Sequence, residues 1–137
     1  MITFNYETDF NLNDEKPLEG WIQKVVSEKG FEVGEINYIF CDDAYLLKLN
    51  VEFLQHDTLT DIISFDNSLG KLINGDIFIS VERVEDNAKD FKVSFDDELH
   101  RVMIHGVLHY MGFKDNSDDE KKVMRKEENK ALSVLKF

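Results

Sequence analysis

Cysteine and proline are almost missing from this chain, and each absence closes an option. The single cysteine, Cys41, has no partner for an internal disulfide, so the core alone must hold the fold, as suits a reducing cytoplasm. Cys41 reads as a small buried residue. With one proline, Pro17, there is no proline-rich linker, and no repeat or low-complexity segment interrupts the sequence. No apolar run approaches the roughly 20 residues of a membrane-spanning helix. The first residues, MITFNYETDF, lack the basic-then-apolar order of a secretory signal. A cytoplasmic protein without membrane contact is therefore expected. Cations are scarce as well: 16 Lys and Arg face 28 Asp and Glu, for a net charge of −12. Such a chain does not hold nucleic acid by bulk charge, which relies on Lys and Arg at phosphates. Its best basic cluster, Lys121, Lys122, Arg125, Lys126 and Lys130, is interleaved with acids and reads as a solvated helix face.

What is present is enough for one well-filled domain over residues 1–137, with 42% hydrophobic residues and eleven phenylalanines. Alternation marks strands at 2–6, 35–41, 61–65 and 76–81. Helical spacing marks 17–28, where Leu18, Trp21, Ile22, Val25 and Val26 share a face and Gly30 lies just past the end. A second helix, capped by Asp42 or Asp43, runs to about Phe53. A short helix over 81–89 follows the last strand, after a turn near 67–70. Ser94 with Asp97 resembles a capping box opening the next helix, and Ser117 with Glu120 is a stronger one opening a last helix to Leu135. The mixed order predicts an α+β fold, a small mixed four-stranded sheet packed with about five helices in a single domain. Strand order is not readable from this pattern.

Residues 105–115, HGVLHYMGFKD, carry the chemistry. His105 and His109 are four apart, so a helix stacks both imidazoles on one face. Gly112 can end that helix in a left-handed turn, and the chain can then turn back to offer Asp115. Two histidines and a carboxylate, with a fourth position free for water, have the composition of a catalytic zinc site. Ile104, Val107, Leu108 and Met111 surround the pair with apolar groups, and a buried polar pair needs partners such as a cation. The bland alternative is two histidines that share a helix face by chance. His100 falls about 140° round the helix from His105, off the ligand face, and is expected on the surface. Zinc peptidases of the H-E-x-x-H type carry a general-base glutamate directly after the first histidine. Here that position is Gly106, which has no side chain to take a proton.

The same stretch resembles the YbeY family of bacterial ribosomal-RNA maturation factors, whose pattern is H-G-x-L-H-x-x-G-[YF]-D-H. His105, Gly106, Leu108, His109, Gly112 and Phe113 match it. A second block, LNVEFLQHDTLTDIISFD at 49–66, is similar to the family's L-N-x-x-[YF]-R-x-x-D-x-P-T-D-V-L-S-F in Leu49, Asn50, Phe53, Asp57, Thr60, Asp61, Ser64 and Phe65. A third, GDIFIS at 75–80, resembles the family's G-D-I strand. The resemblance implies a metal-dependent endoribonuclease that matures small-subunit ribosomal RNA and serves ribosome quality control, with ribosomal RNA and ribosome-associated proteins as partners. It implies one divalent ion, Zn2+ first with Ni2+ or Fe2+ as alternatives, on His105, His109 and Asp115. It also brings Asp61, Ser64 and Asp76 forward as substrate contacts, although Asp61 and Asp76 can equally cap turns and Ser64 can simply pack. The general base is unassigned.

Two departures from the pattern matter. The family's third ligand is histidine, and here it is Asp115; a carboxylate is an accepted replacement, and two histidines with one carboxylate also suit iron(II). The family's arginine after the aromatic is Leu54, which removes a cation that in the family is thought to face substrate. His56, two residues on, either stands in for it or is a loop histidine with no role. Two other functions therefore stand beside the nuclease: a ribosome-assembly factor with a structural metal and little nuclease activity, and a metal-dependent hydrolase of another substrate, against which Gly106 counts.

Overall fold

Strands form where β-branched and aromatic residues alternate with polar ones. In the computed structural model, which describes residues 1–135, these are β1 (Ile2–Tyr6), β2 (Glu32–Cys41), β3 (Ile62–Asp66) and β4 (Leu72–Ser80). The helices are α1 (Glu15–Glu28), α2 (Asp43–Leu49), α3 (Val81–Phe91), α4 (Phe95–Tyr110) and α5 (Asp118–Ser133). The sheet order is β1-β2-β4-β3. β1, β2 and β4 run parallel, and β3 returns antiparallel to β4. This is the expected single α+β domain with a mixed four-stranded sheet and five helices.

Period-two alternation gives the sheet two different faces. Ile36, Tyr38 and Phe40 of β2 pair with Gly75, Ile77 and Ile79 of β4 and are fully covered. They meet Leu18, Trp21 and Ile22 of α1 and Met103, Ile104 and Val107 of α4 in the main core. Burying each such aliphatic side chain stabilises the fold by about 1.5–3 kcal/mol. The opposite face is covered only in part, by Leu46 and Leu49 of α2 against Cys41, Ile63, Phe65 and Phe78. Cys41 lies there, buried as expected, and burial first of all pushes its thiol up to about 12.

Strands β2 and β4 start earlier than the sequence predicts. Glu32 pairs with Leu72 and Val33 with Ile73, beyond an irregularity that separates Val33 from Ile36. The second helix stops earlier. Asp42 caps it by accepting the Tyr45 N–H at 2.9 Å, but after Leu49 the chain passes into one π-helical turn, Asn50–Leu54, and leaves through Gln55 at φ 56°. Asn50 is buried and donates through Nδ2 to the Thr58 carbonyl at 2.8 Å, tying the turn to the loop after it. Phe53, the expected end of the second helix, lies on this turn and is 61% exposed.

His100 corrects a second expectation, for it is buried at 8% exposure with its ring edge-on to Trp21 at 6.2 Å. Angular distance from a ligand face predicts exposure only when the far side of a helix meets water. α4 is enclosed by its neighbours despite the polar residues it carries: α1, α3, α5 and the sheet all touch it.

Candidate metal centre

α4 ends as a glycine dictates. Gly112 adopts φ 99°. Its N–H bonds to the His109 carbonyl at 3.0 Å, and the Phe113 N–H bonds to the Leu108 carbonyl at 3.1 Å. These two bonds make a Schellman close, with Phe113 packed on the core. The chain reverses there and brings Asp115 back toward the last two turns of α4. Ser117 then opens α5 with a reciprocal capping box to Glu120. Ser94 opens α4 by a one-sided bond to the Asp97 N–H at 3.1 Å; an aspartate is shorter than the glutamate such a box uses.

The three donors converge. His105 Nε2 lies 3.0 Å from His109 Nε2. Asp115 Oδ2 lies 3.3 Å from His105 Nε2 and 3.4 Å from His109 Nε2. Donors about 2.0–2.1 Å from a tetrahedral ion stand roughly 3.3–3.4 Å apart, so this triangle has nearly the edges that such an ion requires. The hydrogen bonding favours a cation too. His105 Nδ1 lies 2.6 Å from Glu128 Oε2, and when Nδ1 carries the proton, Nε2 is a bare acceptor. A bare nitrogen facing a carboxylate oxygen at 3.3 Å calls for a proton or a metal between them. The residues therefore fit a divalent ion, and the chemistry of the donor set does not choose among zinc, nickel and iron.

Electrostatics around His105 are strong. Burial pulls its imidazole down, but Glu128, Asp115 and Asp61 together outweigh burial and the net shift is upward. Burial likewise raises Glu128, while His105, Arg101 and Arg125 overcome this and hold its carboxyl below the usual range. Beside the triad lies a cleft of about 300 Å³ whose lining includes Asp61, Asn87, Arg101, His105, Asp115 and Glu128. The Asp61 carboxyl is raised, mainly by burial.

The other predicted contacts are scattered. Ser64 lies on β3 beside Tyr110 and interacts with its hydroxyl. Tyr110 in turn donates to the carbonyls of Phe65 and Asp76, 3.1 and 3.0 Å away, which fastens the end of α4 to the β3–β4 pair. Asp76 accepts from Asn37 Nδ2 at 2.9 Å, and strand alternation puts both on the sheet face away from α4. His56 is exposed in the loop after the π turn, its backbone N–H bonded to the Asn50 carbonyl at 3.2 Å. Leu54, on that turn, is 47% exposed.

Sequence reasoning missed Glu128. Its signal was available: Met124, Glu128 and Ala131 are the buried residues of α5, so an acid sits in line with an apolar stripe at helical spacing.

The family model for "Endoribonuclease YbeY" matches residues 3–136. The protein named Endoribonuclease YbeY in Flavobacterium johnsoniae is 58% identical over 98% of this chain and 97% of its own. Its namesake in Flavobacterium psychrophilum is 57% identical over 98% and 96%. That of Porphyromonas gingivalis is 51% identical over 85% and 77%. The solution structure of TM1509 from Thermotoga maritima superposes with a TM-score of 0.69 at 26% identity, over 97% of this chain and 90% of the other.

Proposed function

Because this chain belongs to the YbeY family of endoribonucleases, we propose that it hydrolyses ribosomal RNA internally during small-subunit maturation, at a divalent metal centre formed by His105, His109 and Asp115. The observation that carries the proposal is the triangle of donor atoms with edges of 3.0, 3.3 and 3.4 Å beside a cleft. A divalent ion supplies polarisation of a water and of a phosphate oxygen. The chain's own residues do the rest. His105 and His109 are fixed by a buried helix, and Asp115 by a glycine turn and a capped helix behind it. Asp61 faces RNA from the cleft wall, Ser64 stands beside Tyr110 at the end of the same helix, and Asp76 and His56 serve as outlying contacts.

Zinc is the first choice of ion, with nickel and iron(II) next, and the working partners are the ribosomal RNA and ribosome-associated proteins of the cytoplasm. One domain carries the whole activity. The charge of −12 and the exposed Leu54 in place of a cation favour a second reading, in which the ion is structural and the protein works mainly as an assembly factor. Purified protein incubated with structured RNA, with and without chelator, tests both. Chelator-sensitive internal cleavage is expected. Intact RNA in the presence of metal-loaded protein would leave the assembly reading standing.

A further inference from the structure

Glu128 is a buried carboxylate, 5% exposed, on a helix that contributes none of the three donors. Removing an acid from water is costly unless it is paired and hydrogen-bonded, so its partners are informative. Both oxygens are engaged, and they are engaged differently. Oε1 meets Arg101 at 3.0 Å and Arg125 at 3.7 Å. Among the described residues, Oε2 meets only the ring nitrogen of His105, at 2.6 Å. That nitrogen is the one turned away from Asp115 and His109.

We propose that Glu128 is a positioning residue for the metal centre: it fixes the proton of His105 on Nδ1 and so presents Nε2 to the ion, while Arg101 and Arg125 hold the carboxylate in register. The inference rests on the metal reading of the site. A neutral imidazole has two tautomers, and only one leaves Nε2 free. The carboxylate accepts the Nδ1 proton and selects that tautomer. It also fixes the ring's rotation, because the ring is held at opposite ends by α5 and by the other donors. Arg101 is on α4, one turn before His105, so the Arg101–Glu128 pair also clasps α4 to α5. The clasp is the competing explanation of Glu128, and a purely structural clasp would not govern the tautomer of His105.

The test uses the full chain stripped of metal, with Zn2+ alone as probe, titrated against a chromophoric chelator at one pH high enough to leave His105 neutral. Four proteins are compared: wild type, Glu128→Gln, Glu128→Asp and Arg101→Met. Melting temperatures are measured alongside, and nitrogen NMR reports the His105 tautomer in the zinc-free proteins. Glu128→Gln should bind Zn2+ about 10–100-fold more weakly than wild type, the usual loss when a ligand's outer partner is removed. Its His105 tautomer population should shift toward Nε2–H. Glu128→Asp keeps the charge but withdraws it from the 2.6 Å contact, so it should also weaken binding, and it serves if the glutamine variant fails to fold. Arg101→Met breaks the clasp and should lower the melting temperature with a smaller loss of affinity. Wild-type affinity and an unchanged tautomer in both Glu128 variants would overturn the proposal. Failure of the wild type to bind Zn2+ would instead overturn the metal reading beneath it.

Discussion

Gly106 rests directly on Ile77. A Cβ built on the glycine would stand 3.1 Å from Ile77 Cδ1 and 3.2 Å from Ile62 Cδ1. The missing side chain sets how deeply α4 seats on the sheet, and thereby where the neighbouring His105 projects. A side chain at this position would press on both isoleucines, and the glycine leaves the site without the general-base glutamate that the zinc peptidases carry there.

Gly106→Glu should therefore destabilise the protein severely, by about 3–5 kcal/mol, as expected for an uncompensated buried charge. Urea unfolding measures it. A midpoint close to wild type would mean that α4 can lift from the sheet and that the contact does not set its depth.

His105→Ala and His109→Ala should each lose the bound metal. The motive is the triangle of donor atoms, and each variant removes one corner. Elemental analysis of the purified proteins decides it, and full occupancy in both variants would sink the assignment.

Asp115→His should keep both metal and fold. Imidazole and carboxylate bind zinc at similar lengths, about 2.0–2.2 Å, and the Asp115 side chain is partly exposed. Loss of metal here would point to Asp118 or Asn116 as the third donor.

Zinc uptake should strengthen as pH rises. In the metal-free protein the pKa of His105 is raised above the ordinary imidazole value of about 6.5, so below and around that value the ring carries a second proton and is a cation. The ion needs the neutral ring, so binding must expel that proton. The affinity gain continues until the pH passes the raised pKa and then levels off. Calorimetry at pH near 6.5 in two buffers of different ionisation enthalpy should detect proton release. Identical heats in both buffers would contradict it.

Leu54→Arg should tighten RNA binding without unfolding the protein. Leu54 is half exposed on the π turn, so an arginine there reaches water and the core is untouched. One added phosphate contact steepens the log–log salt dependence by roughly 0.9 for duplex RNA treated like B-form DNA, and less for single strands. An unchanged slope in a variant of normal melting temperature would show that position 54 does not face RNA.

The elements most legible in the sequence were those with local causes. The capping box at Ser117, the glycine end at Gly112 and the apolar face of α1 are encoded within a few residues, and each is present. The three converging donors were legible for the same reason. What escaped depends on packing between distant segments. The burial of His100 needs Trp21 from α1, and the early start of β2 needs its partner β4. The role of Gly75 is similar: a Cβ there would meet the Tyr110 hydroxyl at 2.5 Å, so a glycine on β4 makes space for a phenol on α4. Glu128 falls between these cases. Its placement on the apolar stripe was visible, but its partner His105 lies on another helix.

The reversal at Gly112 has a kinetic consequence. His105, His109, Asp115 and Glu128 all belong to one helical hairpin, so they are neighbours in sequence as well as in space. Closing a short loop carries little entropy, and short-range contacts form fast. The parallel pairings of β1, β2 and β4 are the opposite: each joins strands far apart in the chain, and β4 must enter between β2 and the earlier strand β3, which ends at the sheet's edge. The slow conformational search thus belongs to the sheet, while the groups that face the ion are drawn from the most rapidly assembled part of the molecule.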